Sequence, residues 1–218
     1  MTEKHKQQPL GALPDVSRRE FLKGASLTIA AVGLTGANAT TVAATQDAGA
    51  AGARVVGPDK VPIQFTLNGQ AMAVSAEPHV TLLDLVRDEI GLTGAKRVCD
   101  RGACGACTML IDGRTANSCS VLAIDVAGKS VTSIEGLTPG DELSALQEAF
   151  VECDALQCGF CTPGMVVACS SVLSRTPNPT RAQIAEGIAG NICRCGTYQN
   201  IFEAVELAAR KGAGGARK

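Results

Sequence analysis

The sequence predicts an α+β protein in two parts: a small, mostly β domain, then a domain of four helices. Three observations predict this. Short β-patterned runs separated by turn signals fill residues 61–136, the texture turns helical beyond Gly136-Leu-Thr-Pro-Gly140, and the ten cysteines divide between the two parts. With 218 residues, a net charge of −1, 45% hydrophobic residues and no Trp, the chain suits one or two small domains with a modest core. One Tyr, and no basic cluster beyond the sparse tail Arg210, Lys211, Arg217 and Lys218, leave nucleic-acid binding without charge footprint or stacking surface.

The first segment reads as a leader. Ser17-Arg18-Arg19-Glu20-Phe21-Leu22-Lys23 precedes a weakly apolar run from Gly24 to Ala37. The small residues Ala37-Asn38-Ala39 and Val42-Ala43-Ala44 then offer two cleavage sites. This order looks like a twin-arginine export signal over residues 1–44, which implies export of a folded protein to the periplasm. The apolar run is too short and too rich in Gly and Thr to span a bilayer, and no second run replaces it, so no transmembrane segment is expected. Residues 45–60, rich in Ala and Gly, read as a flexible linker.

The β part begins with Val61-Pro-Ile-Gln-Phe-Thr-Leu67 and Gln70-Ala-Met-Ala-Val74, joined by the hairpin signal Asn68-Gly69. Thr81 and Asp84 have capping-box spacing and open a helix to about Glu89, with Leu82, Leu85 and Val86 on one face. Thr108 to Ile111 and Val131 to Ile134 are further strands, with Asp112-Gly113 a turn. In the second part, residues 141–212, helices are expected over Asp141 to Val151, Pro163 to Ser174, Arg181 to Ala189 and Tyr198 to Lys211. Thr180 with Gln183 forms a capping box, and Pro163 suits a first helical turn.

Cysteine carries the chemistry. Cys99-x4-Cys104-x2-Cys107, with Cys119 after eleven intervening residues, has the plant-type ferredoxin spacing, a specific pattern because four positions must agree together. Gly102 and Gly105 sit where such a loop bends sharply and leave amides free for cluster sulfurs. Cys158-x2-Cys161 and, after thirty-one intervening residues, Cys193-x-Cys195 form a second set. Both of its pairs precede helix starts, so two positive helix ends converge on anionic thiolates. Four-thiolate zinc is the competing reading, stronger for the second set than for the first. A Rieske centre needs two His ligands, and the chain has only His5, inside the leader, and His79, which reads as an ordinary surface residue.

Cys99-Asp-Arg-Gly-Ala-Cys-Gly-Ala-Cys-Thr108, Gln157-Cys-Gly-Phe-Cys-Thr-Pro-Gly164 and Gly190-Asn-Ile-Cys-Arg-Cys-Gly196 together resemble the small iron-sulfur subunit of the molybdenum hydroxylases, the family of xanthine dehydrogenase and the aldehyde oxidoreductases. The resemblance runs from about Ile63 to Ala208 and, with the leader, is nearest the periplasmic aldehyde oxidoreductases. It implies a β-grasp, ferredoxin-like 2Fe-2S domain over residues 61–136 with Cys99, Cys104, Cys107 and Cys119 as ligands. It implies a second 2Fe-2S cluster on Cys158, Cys161, Cys193 and Cys195 in the helical domain. Gln157 and Cys195 match positions near molybdopterin, in the cytosine dinucleotide form, on a large partner subunit, and a medium partner subunit carries FAD. The implied function is electron transfer for aldehyde oxidation, with no catalytic residue on this chain; the alternatives are a stand-alone ferredoxin-type carrier and a zinc-stabilised interaction protein. Val98 departs from the family's usual Gly before the first cysteine, and Cys153 and Cys169 fall outside the eight-ligand pattern and read as small, partly buried side chains.

Overall fold

The computed structural model describes residues 57–138 and 142–215. The expected leader, the linker as far as residue 56, and the bridge at residues 139–141 lie outside the described residues. Strand β1 (Val61–Leu67) pairs antiparallel with β2 (Gln70–Ala76) through the Asn68-Gly69 turn, both of whose residues have positive φ, 51° and 81°. Ile63, Phe65 and Leu67 face inward at 1–4% exposure, the period-2 burial that sets the register.

Thr81 caps helix α1 (Leu82–Asp84), accepting from the Asp84 amide at 3.1 Å. The expected single α-helix here is corrected: the chain widens into a π-helical turn, Leu85–Glu89, in which the Ile90 amide donates to the Leu85 carbonyl. That widening lets Leu82, Leu83, Leu85 and Val86 all bury against the sheet.

Strands β3 (Thr108–Ile111), β4 (Arg114–Asn117) and β5 (Ser130–Thr132) complete a five-stranded mixed sheet in the order β2-β1-β5-β3-β4. β1 and β5 run parallel, and the other pairs are antiparallel. Two further expectations change here. β4 carries no apolar alternation and so escaped the pattern, and Ile134 begins a 3-10 turn, Ile134–Gly136, after β5 has ended.

The helical part contains α2 (Ala145–Glu152), α3 (Thr162–Arg175), α4 (Arg181–Gly187) and α5 (Tyr198–Gly215). α2 starts four residues later than expected because Ser144 and Gln147 form its capping box. Leu146, Phe150, Met165, Val166, Ile184 and Ile201 fill its core. The two parts meet where α3 lies on β3, and Gly164 makes this possible. A Cβ there would collide with the Gly105 carbonyl and the Ala106 backbone, so helix and cluster loop touch main chain to main chain.

Candidate functional site: two cysteine clusters

The first cluster loop is bent by positive φ at Asp100 (54°), Gly102 (71°) and Gly105 (69°). These bends turn amides inward. The Gly102 amide donates to Cys119 Sγ at 3.2 Å, and the Cys99 thiol falls to about 6, chiefly through the Arg101 amide, then the Cys104 thiol and the amides of Ala103 and Cys104. Asn117 Nδ2 holds the Gly102 carbonyl at 2.8 Å, and Ser118 Oγ holds the Cys107 carbonyl at 2.7 Å. Upstream, Arg87 donates to the carbonyls of Thr93 (2.7 Å) and Ala95 (2.6 Å), while Arg97 pairs with Asp84 and with Asp88. These contacts tether the segment entering Cys99 to α1 and to the π-helical turn that follows it.

Within the set the sulfurs pair two by two. The free thiol of Cys99 neighbours that of Cys104 on the half-buried side of the loop, and Cys107, pushed up to about 11 mainly by burial, neighbours Cys119 on the buried side. The second set repeats the division. Exposed Cys158, lowered by the Phe160 amide and then the Cys195 thiol, pairs with half-buried Cys195. Cys161, pushed up to about 12 mainly by burial, pairs with buried Cys193. Burial also opposes ionisation of Cys193, but the Thr197 hydroxyl and amide, the Cys161 thiol and the Gly196 amide bring it down to about 7. Thr197 Oγ1 lies 3.2 Å from Cys193 Sγ, and the Cys193 amide donates to Tyr198 Oη at 2.8 Å.

This arrangement fits 2Fe-2S clusters. A two-iron cluster bound by four thiolates places two on each iron, which matches sulfurs gathered in pairs. Amides aimed at sulfur suit an anionic cluster, and Thr162 Oγ1, beside Cys161, is buried with no hydrogen-bond partner and would find one in a cluster sulfur. Thr162, Thr197, Tyr198, Asn117 and Asn191 are functional neighbours that the sequence reading missed. Asn117, Thr162, Asn191 and Thr197 stand one or two residues from a cysteine of the two sets, the one local signal that could have found them.

Gln157 is exposed, as are Cys158, Phe160 and Ile192, and Cys195 is half-buried. Cys153 ends α2 half-buried, Cys169 is fully buried in α3, and both are free thiols. His79 is exposed beside Glu77. Among the described residues no helix is long and apolar enough to cross a membrane.

Two family models match the chain: a 2Fe-2S iron-sulfur cluster binding domain over residues 65–131 and a [2Fe-2S] binding domain over residues 133–206. A probable xanthine dehydrogenase subunit of Bacillus subtilis (strain 168) is 45% identical over 73% of this chain and 91% of its own length. The chain is an iron-sulfur subunit of the molybdenum hydroxylase family. The aldehyde oxidoreductase iron-sulfur-binding subunit PaoA of Escherichia coli (strain K12) is 40% identical over 70% of this chain and 73% of that one. The crystal structure of quinoline 2-oxidoreductase from Pseudomonas putida 86 superposes with a TM-score of 0.67 at 42% identity, covering 71% of this chain and 98% of the other. This iron-sulfur subunit therefore has the expected fold, a ferredoxin-like 2Fe-2S domain followed by a helical 2Fe-2S domain, and the role of an electron-transfer subunit in an oxidoreductase.

Proposed function

We propose that this subunit conducts electrons from a molybdopterin site on a large partner subunit to an FAD-bearing medium subunit or another acceptor, in a periplasmic complex that oxidises aldehydes to carboxylates. Cys99, Cys104, Cys107 and Cys119 hold one 2Fe-2S cluster, and Cys158, Cys161, Cys193 and Cys195 hold the other. Each cluster, when bound, takes up and releases one electron at a time, which divides a two-electron oxidation into single steps. The chain's own residues set the environment. Amides of Arg101, Gly102 and Phe160 favour negative charge on sulfur, and burial of Cys107 and Cys193 keeps water from the inner side of each set.

The observation that carries this reading is the matching exposure of the two sets. The Cys158/Cys195 pair opens to a surface bearing Gln157, Phe160 (59% exposed) and Ile192 (53% exposed), an apolar patch with a polar handle of the kind that docks a partner. Gln157 and Cys195 are the groups this reading sets against the pterin, in its cytosine dinucleotide form. The Cys99/Cys104 pair, beside Val98 at 54% exposure, is the outlet. No acid-base residue for substrate is assigned to this chain. The name of the PaoA relative supports aldehyde chemistry, and Ser17-Arg18-Arg19-Glu20-Phe21-Leu22-Lys23 supports twin-arginine export.

Iron, zinc and acid-labile sulfide on anaerobically purified protein, with EPR after dithionite reduction, test the reading. About four irons, four sulfides and two S = 1/2 signals are expected; zinc without sulfide would overturn it. Gln157→Ala is expected to keep both clusters and weaken association or electron transfer with the large subunit. Unchanged assembly and turnover would remove that role. Replacing Arg18 and Arg19 by Lys is expected to hold the protein inside the cell, seen by fractionation.

A further inference from the structure

Thr197 stands where α5 begins: the Ile201 amide donates to its carbonyl at 3.0 Å, and Gly196 before it lets the chain turn with a φ of 82°. A hydroxyl at a helix start ordinarily serves the amides of the first turn. Here it lies 3.2 Å from Cys193 Sγ and 3.5 Å from the Ala155 carbonyl. Thr197 is 9% exposed and Cys193 7%, so the contact between them is out of water.

The state of the sulfur decides which partner the hydroxyl proton serves. A thiol can itself donate, and the hydroxyl is then free to bond the Ala155 carbonyl. A thiolate held by iron has no proton and can only accept, so the hydroxyl becomes the donor. The corresponding hydroxyl in the first set is placed less well: Ser120 Oγ lies 3.7 Å from Cys119 Sγ, and Ser120 is exposed. That sulfur is served by the main-chain amide of Gly102 at 3.2 Å. A hydrogen bond is stronger in a low-dielectric interior than beside water, which favours the Thr197 contact over that of Ser120. The buried sulfur of the second set thus depends on a side chain, and that of the first on the backbone.

We propose that the Thr197 hydroxyl, donating to Cys193 Sγ, raises the reduction potential of the second cluster and does so independently of the first. One added electron makes such a centre more negative by one charge. A donor at the sulfur stabilises that form more than the oxidised one and so favours reduction. The electron enters alone, and the proton stays on Thr197 Oγ1. The inference rests on the cluster assignment above.

The test titrates the full chain carrying both clusters with dithionite in the presence of redox mediators, and EPR reads the reduced fraction of each S = 1/2 centre. Thr197→Val keeps the side-chain shape and removes the hydroxyl, and Thr197→Ser keeps the hydroxyl and removes the methyl. At a potential that half-reduces the second cluster of the unaltered chain, Thr197→Val is expected to lower its reduced-to-oxidised ratio several-fold. The first cluster's ratio is expected to stay unchanged, and Thr197→Ser is expected to restore that of the second. An unchanged ratio in Thr197→Val, an equal shift of both clusters, or a serine variant as low as the valine one would overturn the proposal. Should Thr197→Val lose the second cluster, Thr197→Ala is read in its place, and loss from both would make Thr197 a structural support and overturn the proposal too. Iron and sulfide missing from the unaltered chain would defeat the cluster assignment itself, and the proposal with it.

Discussion

The two cluster sites reach the same end by different means. In the β part, three of the proposed ligands lie within one nine-residue loop whose shape comes from positive φ at Asp100, Gly102 and Gly105, so local backbone geometry does most of the positioning. In the helical part, two pairs far apart in sequence are brought together by packing: Cys161 precedes α3, Cys193 and Cys195 precede α5, and the Phe150–Met165–Ile201 core holds the helices in register. The first site is a property of a loop, and the second is a property of a core. Damage to folding and damage to cluster binding are therefore separable in the first site and coupled in the second.

The largest effect that would sharpen this contrast is Phe150→Ala, which removes a side chain 2% exposed in the helical core. A loss of about 3–5 kcal/mol is expected. Phe65→Ala in the β core should cost a similar amount. Iron analysis distinguishes the two: Phe150→Ala is expected to deplete the second cluster selectively, and equal depletion of both clusters by either variant would break the contrast. Gly164→Ala comes next. Its added methyl meets backbone and not a flexible side chain, so about 1–3 kcal/mol is expected from denaturant unfolding, with no local change at the outer pair Cys158/Cys195.

Thr162→Val is a finer probe. Removing the unpartnered hydroxyl beside Cys161 withdraws a donor from an anionic centre, so the reduction potential of the second cluster should fall while that of the first stays fixed, as read by EPR-monitored redox titration. The smallest effect concerns Asp84. Burial pulls its carboxyl upward more than any other single influence, yet hydrogen bonds from Thr81 and Arg97 and the Arg97 charge together hold it below its ordinary value. A depressed pKa contributes stability above the unfolded value, near about 3.9, and loses it as pH falls through the folded one. Asp84→Asn should therefore flatten the acid limb of the stability profile, and only slightly, because both side chains of the pair are more than a third exposed. Denaturant unfolding between acid and neutral pH reads that slope.

Sequence reading succeeded where the determinant was local. Asn68-Gly69, Thr81, the Thr180/Gln183 box and the spacing of each cysteine set all act within a few residues or through fixed intervals, and each is found in its expected element. It failed where the cause was an exposed edge or a distant partner. Arg114 to Asn117 form a strand because β3 offers its edge, not because of any apolar pattern. The π-helical turn carries no local sequence signal that distinguishes it from an ordinary helical turn. Asn191 stood inside the quoted motif, but its partners Gly105 and Thr108 are more than eighty residues away, and no spacing rule reaches that far.

Ten thiols and eight proposed ligand positions pose a sorting problem during maturation, and α3 answers half of it. Cys169 lies on that helix with no exposure, and burial pushes its thiol up to about 12, so it offers neither access nor a thiolate to incoming iron. Cys153, at the end of α2, is also raised, by burial and then by Glu152 and Glu203. Cys158, by contrast, is exposed and lowered. Burial thus withdraws Cys169 from the competition for iron, while Cys158 stands open at the surface.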